Sequence, residues 1–369
     1  MVGYVGWTAA VGLVLAAILF LLYYPPFGGR SSAGQKKRYR QSAQFQGKQF
    51  RNASPSVPFQ ANWGNTKSLL RDYMKGNPNV KPAVPLPVRR LDPDVWRKHA
   101  SSITWFGHSA LLLRVEGVTL LVDPMFGPAA SPFAWIGSKR YSKELPAEVE
   151  ELPQVDAVLF THDHYDHLDY STVRKLKDRV GRFIVPLGVA AHLERWGVRP
   201  ELITEHDWWE ELEFQGLRLV CTPARHFSGR GLFDRGRSLW CSWVIQGSAV
   251  KLFCSGDSGY GSHFAEIGRK YGPFDAAMME CGQYDPRWAD IHMLPEETVR
   301  AHREVQGGIL VPIHWGAFTL ALHDWVDPAE RVTKAAGEAG VPAATPEIGE
   351  TIPVGTGVYP ATAWWRGIR

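Results

Sequence analysis

The chain has 369 residues, 45% of them hydrophobic, enough to bury one large domain or two modest ones. Its formal charge is +4, from Lys+Arg 41 against Asp+Glu 37. That balance excludes a nucleic-acid binder working through a concentrated basic surface. Cys221, Cys241, Cys254 and Cys281 show no C-x-x-C spacing and sit in or beside predicted strands. They read as reduced core thiols, which favours a reducing compartment.

Val5 to Tyr24 is a nearly unbroken apolar stretch, and no charged side chain precedes Arg30. About 20 apolar residues span a bilayer as a helix. A signal peptide would carry its basic residues before the apolar run and a small-residue cleavage site after it. Here the basic residues follow, and Tyr23-Tyr24-Pro25-Pro26-Phe27 is a poor cleavage site. The segment therefore reads as an uncleaved transmembrane helix. Arg30, Lys36, Lys37, Arg38, Arg40, Lys48 and Arg51 crowd its C-terminal flank, which places that flank in the cytoplasm.

Residues 1–29 are thus expected to form the anchor, and 30–100 a basic linker and extended arm with a short helical pattern near Lys67 to Met74. The folded domain is expected over 101–369. It begins with a hairpin, Ile103 to Val115 and Val118 to Val122, turning at Glu116-Gly117. Strands recur at Val155 to Thr161, Phe183 to Pro186, Leu212 to Cys221 and Leu239 to Gln246. They continue at Val250 to Phe253, Ala276 to Glu280 and Ile309 to Ile313. Helical patterns lie at Ser171 to Val180, Gly188 to Trp196 and Pro295 to Val305. Pro295 opens the last of these with Glu296 and Glu297 in its first turn, where they favour the helix dipole.

Thr161-His162-Asp163-His164-Tyr165-Asp166-His167-Leu168-Asp169 follows the apolar run Val155 to Phe160. In an extended loop His162 and His164 point the same way, toward one metal, and Asp166 and His167 close on a second. Imidazole with carboxylate is the ligand set of a borderline ion such as zinc. Three further candidates stand where apolar strands give out: His226, Asp257 in Cys254-Ser255-Gly256-Asp257-Ser258-Gly259, and His314 in Val311-Pro312-Ile313-His314-Trp315-Gly316.

H-x-H-x-D-H, then His, then Gly-Asp, then His is the motif series of the metallo-β-lactamase superfamily, which this chain resembles. Trp105-Phe106-Gly107-His108, Val122-Asp123-Pro124, Ser131-Pro132 and Gly137-Ser138-Lys139-Arg140 narrow the resemblance. So do Asp207-Trp208-Trp209-Glu210, Gly256-Asp257-Ser258-Gly259-Tyr260, Pro286-Arg287-Trp288 and His314-Trp315-Gly316. They are similar to the branch of N-acylphosphatidylethanolamine-hydrolysing phospholipase D, over roughly residues 45 to 345. The chain departs from it at Asp285, where Glu is expected, and at Met293-Leu294 before Pro295.

The resemblance implies an α+β fold, a metallo-β-lactamase-type αββα sandwich, here preceded by the transmembrane helix. It implies two Zn2+ ions per chain, the first on His162, His164 and His226, the second on Asp166, His167 and His314, bridged by Asp257. It implies a phosphodiester hydrolase of phospholipase D type acting on N-acylphosphatidylethanolamine or a related membrane phospholipid. Asp166, Asp257 and His292 are then the catalytic candidates, and Tyr165 and His292 the substrate contacts. His108 and Asp169 are expected to orient or support ligands, and Asp207, Trp208, Trp209, Arg287 and Trp288 to be structural. The alternative is a membrane-tethered lactonase or soluble-substrate phosphodiesterase on the same scaffold. The membrane is the expected partner, and the resemblance allows a homodimer.

Overall fold

The computed structural model describes residues 11–16, 19–21, 23–59, 62–231 and 233–368. Strands β1 (Phe45–Gln46) and β2 (Gln49–Phe50) form a small hairpin. There follow β3 (Ser102–Trp105), β4 (Leu111–Val115), β5 (Val118–Val122), β6 (Val155–Leu159), β7 (Val180–Pro186) and β8 (Ile203–His206). Then come β9 (Glu211–Phe214), β10 (Leu217–Thr222), β11 (Ser242–Gln246), β12 (Lys251–Cys254), β13 (Phe274–Glu280), β14 (Gly307–Ile313) and β15 (Thr351–Pro353). One sheet is ordered β15-β3-β4-β5-β6-β7-β8 and the other β14-β13-β12-β11-β10-β9.

The sequence alternation decides how these sheets stack. In β4, Leu111, Leu113 and Val115 point into a core shared with Leu219, Trp243 and Phe253 of the other sheet. Leu112, between them, joins Leu121, Val158 and Phe183 against Val173, Leu176 and Leu193 of the helices Tyr170–Leu176 and Ala190–Arg195, and against Trp196, which ends the second helix. A period of two with both faces covered produces continuous apolar runs rather than alternation. On the far side, helix Pro295–Glu304 packs on β13 and β14 and against helices His263–Tyr271 and Asp327–Glu338. The result is helix, sheet, sheet, helix.

Two expected strands are each broken in two, for local reasons. Ile103 to Val115 is interrupted at 106–110, where Gly107 (φ 87°) and His108 (φ 53°) turn the backbone. There His108 N–H donates to the Trp315 carbonyl and His314 N–H to the His108 carbonyl, both at 2.9 Å, so the interruption stitches one sheet to the other. Leu212 to Cys221 is a hairpin, β9 and β10, that turns at Gln215 (φ 49°) and Gly216 (φ 82°). Strand β8 and helices His263–Tyr271 and Asp327–Glu338 were not expected from the sequence pattern.

The stretch read as a basic linker is seated on the domain instead. Helix Ala33–Tyr39 starts with a capping box, Ser32 with Gln35. Tyr39 is buried beside Phe45 and Phe50, and Arg38 Nη2 donates to the Glu205 carbonyl at 2.6 Å. Aromatic burial outweighs the polar composition that suggested a linker. The arm at Pro82 to Arg90 packs as expected, with Leu86 buried and Arg89 N–H donating to the Ile348 carbonyl at 2.8 Å.

The start of the expected transmembrane helix, Val5 to Tyr24, lies outside the described residues. Within it, residues 11–16, 19–21 and 23 are helical and exposed. Among the described residues no helix is long and apolar enough to cross a membrane.

Candidate metal centre

The loops that leave the strand ends converge on one point between the sheets. His162 and Asp166 follow β6, His226 follows β10, Asp257 follows β12 and His314 follows β14. Asp257 requires an unusual approach: a Cβ on Gly256 (φ 54°) would lie 2.8 Å from the Cys241 carbonyl oxygen and 2.9 Å from Thr161 Cβ. Only glycine lets the loop come that close. His314 (φ 68°) and Asp123 (φ 42°) also hold left-handed backbone, a strain that the packed sheets impose to aim them.

His162, His164, His226 and Asp257 offer ligand atoms all within 4.8 Å of one another. His162 Nε2 and His226 Nε2 lie 2.9 and 3.2 Å from His164 Nδ1. Their tautomers are fixed from outside. Thr161 Oγ1 gives its hydrogen to Asp123 Oδ2 at 2.6 Å and so accepts from His162 Nδ1 at 2.9 Å. His226 Nδ1 donates to the Ile291 carbonyl at 2.9 Å. Both Nε2 atoms therefore carry lone pairs, and His164 Nδ1 has at most one hydrogen to share between them. Burial, first, and the neighbouring imidazoles hold His162 far below the ordinary imidazole range; burial does the same for His226 and lowers His164. Converging lone pairs on neutral imidazoles fit a bound cation.

The second group, His108, Asp166, His167 and His314, also lies within 4.8 Å. His167 Nδ1 donates to Asp123 Oδ2 at 2.8 Å, so its Nε2 faces Asp257 Oδ2 at 3.1 Å and Asp166 Oδ2 at 3.4 Å. Burial opposes charge on His167, yet Asp257, Asp166 and Asp123 together raise it well above the ordinary value. That site asks for positive charge, which a cation supplies. Asp257 stands between the groups: Oδ2 is 3.7 Å from His162 Nε2 and from His226 Nε2, while Oδ1 is 3.0 Å from His314 Nδ1. All seven residues expected as ligands are thus brought together. The buried His314 Nε2 has no hydrogen-bond partner among the described residues, which again fits metal ligation.

Asp123 and Glu280 also belong here, although the sequence reading gave neither a role. Asp123 accepts from Thr161 and His167 and so orients ligands on both sides. It ends an apolar strand just as Asp257 does, and that signal was available. Glu280, fully buried at the end of β13, accepts from Ser258 N–H, Met293 N–H and His292 Nδ1 at 2.9, 3.0 and 2.8 Å. His108 Nε2 sits 2.7 Å from Asp166 Oδ2, and a carboxylate can only accept, so His108 donates and holds Asp166 in place.

A cavity of about 310 Å³ opens over the centre, with Pro58, Phe227, Trp288, Ile291 and Leu320 as apolar walls and His164, Asp166, Asp257, His292 and His314 among the polar lining. Trp288, expected to be structural, is part of the wall. Tyr165, expected to contact substrate, is not part of that lining. Its hydroxyl donates to the Arg230 carbonyl at 2.6 Å and its ring lies 4.1 Å from the Arg230 guanidinium, because the loop turns it away from the metals. Asp169, expected to orient a ligand, instead caps helix Tyr170–Leu176 by accepting from Thr172 N–H at 2.8 Å. Buried Arg230 clamps the loop from below, donating to the carbonyls of Asp163 and Leu168 at 2.5 and 2.8 Å and to that of Pro26 at 3.0 Å.

Residues 119–315 match the family described as the beta-lactamase superfamily domain. An uncharacterized protein of Mycobacterium tuberculosis is 39% identical over 92% of this chain and 91% of its own length. The N-acyl-phosphatidylethanolamine-hydrolyzing phospholipase D 1 of Caenorhabditis elegans is 32% identical over 73% of this chain and 83% of its own. Among solved structures, Igni18, a metallo hydrolase from the archaeon Ignicoccus hospitalis, superposes with a TM-score of 0.54 at 22% identity, over 68% of this chain and 97% of that one. The chain belongs to the metallo-β-lactamase superfamily, in the branch that includes the nematode phospholipase. It is a metal-dependent hydrolase that binds divalent metal.

Proposed function

We propose that the chain is a zinc-dependent phosphodiester hydrolase of phospholipase D type, with two ions per chain, acting on N-acylphosphatidylethanolamine or a related membrane phospholipid. The observation that carries this reading is the pair of donor groups meeting at Asp257 beneath a cavity with apolar walls. His162, His164 and His226 would hold one ion and Asp166, His167 and His314 the other, with Asp257 offered to both. When bound, two such ions polarise a phosphoryl oxygen and supply hydroxide near neutral pH.

The protein's own groups do the rest. His292 is tied through Nδ1 to Glu280 at 2.8 Å, which leaves Nε2 for the cavity. There it donates to a phosphate oxygen or protonates the leaving alkoxide. Phe227, Trp288 and Leu320 exclude water and take the first methylenes of the glycerol backbone. A volume of about 310 Å³ is far too small for a diacyl lipid, so the acyl chains stay outside and only the headgroup region enters. The same modest volume favours the second reading, a lactone or soluble phosphodiester as substrate. Purified protein assayed on N-acylphosphatidylethanolamine, ordinary phosphatidylethanolamine and a homoserine lactone side by side separates them. Faster opening of the lactone than of either lipid would overturn the phospholipase reading.

Val5 to Tyr24 anchors the enzyme, with Arg30 onward on the cytoplasmic side. The basic residues on the C-terminal flank support that orientation, as do the four free, buried cysteines. Protease protection in sealed vesicles tests it; digestion of the hydrolase domain only from the outer face reverses the topology.

A further inference from the structure

Helix Trp63–Lys75 has no buried residue, although its sequence carries large apolar side chains. Trp63, Leu70, Tyr73 and Met74 are exposed by 83%, 57%, 75% and 71%. At 3.6 residues per turn, Trp63, Leu70 and Met74 fall on one line within about 20°, with Tyr73 on one flank. Lys67, Arg71 and Lys75 form the other flank. The opposite face is the one that holds the helix to the domain: Arg287 Nη1 donates to Ser68 Oγ at 3.3 Å and to Asp72 Oδ2 at 3.0 Å. The helix is therefore fixed with its apolar stripe turned outward, and its only acid faces inward.

We propose that this stripe is a lipid-docking surface whose occupant is an anionic bilayer. The observations favouring lipid are the composition and the position. Trp and Tyr beside an aliphatic line, with cations along one flank, match the interfacial region of a membrane, where the rings sit at headgroup level and the cations meet lipid phosphates. The segments that flank the helix, and the residue that holds it, lead toward the cavity. Arg287 precedes Trp288, which lines the cavity, as does Pro58 upstream of the helix. Downstream, Asn77 Nδ2 donates to the Leu322 carbonyl at 3.1 Å, close to Leu320, which is 40% exposed at the cavity. On the other side of Leu320, Thr319 N–H donates to Ser138 Oγ at 2.7 Å, next to the loop that exposes Trp135 and Ile136. Lipid pressed against the helix is thereby presented at the mouth of the metal pocket.

This inference rests on the phospholipase reading for its purpose, but not for its test. All four native cysteines are buried, so a single introduced cysteine can be labelled in the full chain. Leu70→Cys, Met74→Cys and, as a remote control, Lys334→Cys carry an environment-sensitive nitrobenzoxadiazole dye. Vesicles of phosphatidylcholine with phosphatidylglycerol should shift the dye to the blue and brighten it at 70 and 74 but not at 334. Replacing Lys67, Arg71 and Lys75 together by Gln should raise the lipid concentration needed for that signal on the order of 100-fold. The same replacement should leave hydrolysis of a water-soluble aryl phosphodiester unchanged. A flat signal at 70 and 74 while the protein sediments with the vesicles overturns the proposal. So does a blue shift that grows with protein concentration in the absence of lipid, which would assign the face to a second copy of the chain. If the phospholipase reading fails, turnover of lipid is absent in every variant while the fluorescence result stands.

Discussion

The two donor groups of the metal pocket solve opposite electrostatic problems. Around His162, His164 and His226 the donors are imidazoles, and the outer nitrogens of His162 and His226 are occupied, at Thr161 and Ile291, so that their lone pairs face inward. Around His167 the surroundings are carboxylates, Asp123, Asp166 and Asp257, and the imidazole between them is driven toward the charged form. The first group is ready for a cation because protons have been kept off it. The second is ready because negative charge has been gathered there. The difference teaches that the two sites need not share affinity, and that Asp257 faces both, with Oδ2 toward His162, His226 and His167 and Oδ1 toward His314.

Breaking the comparison altogether takes Asp257→Asn. A neutral amide bridges two cations poorly, so metal content by elemental analysis and hydrolysis should fall together and toward zero. Retention of both ions would remove Asp257 from the bridging position. His226→Ala and His314→Ala sharpen the contrast next. Each should take the content from about two ions to about one, and the surviving site should differ in affinity between the two variants. His292→Ala should leave metal content intact and lower turnover by about 10²–10⁴-fold; loss of metal in that variant would reassign it to ligand support. Asp123→Asn touches both groups from outside, and metal affinity should weaken by about 10–100-fold, measured by competition with a chelator. The smallest effect belongs to Asp169→Ala. As a helix cap it should cost about 1 kcal/mol in denaturant unfolding and release no metal.

Residues whose meaning lies in local spacing were legible in the sequence. His162, His164, Asp166 and His167, with His226, Asp257 and His314 each standing where an apolar strand gives out, could be read without a fold, and every one of them reaches the centre. Residues whose meaning lies in a contact across the chain were not legible. Glu280 ends a predicted strand, but its importance comes from His292, which arrives from another loop. Tyr165 was aimed at the cleft on local spacing and is instead held under Arg230, a partner 65 positions away. Helices His263–Tyr271 and Asp327–Glu338 escaped because their apolar positions are few and find burial only once helix Pro295–Glu304 and the core come together around them. The same holds for residues 30–51, whose polar composition concealed Tyr39 and Phe50 as core residues.

Arg230 joins the Pro26 carbonyl to the loop that carries His164, Asp166 and His167, across 204 positions of sequence. Read as a matter of folding time, that clasp ties the earliest part of the chain to one made much later. Contacts of such separation form slowly, because a long loop must close before they return any stabilisation. On a ribosome the segment around Pro26 emerges well before its guanidinium partner exists. The loop bearing the ligands is therefore among the last parts to take its final shape, and metal uptake should trail collapse of the two sheets in stopped-flow refolding.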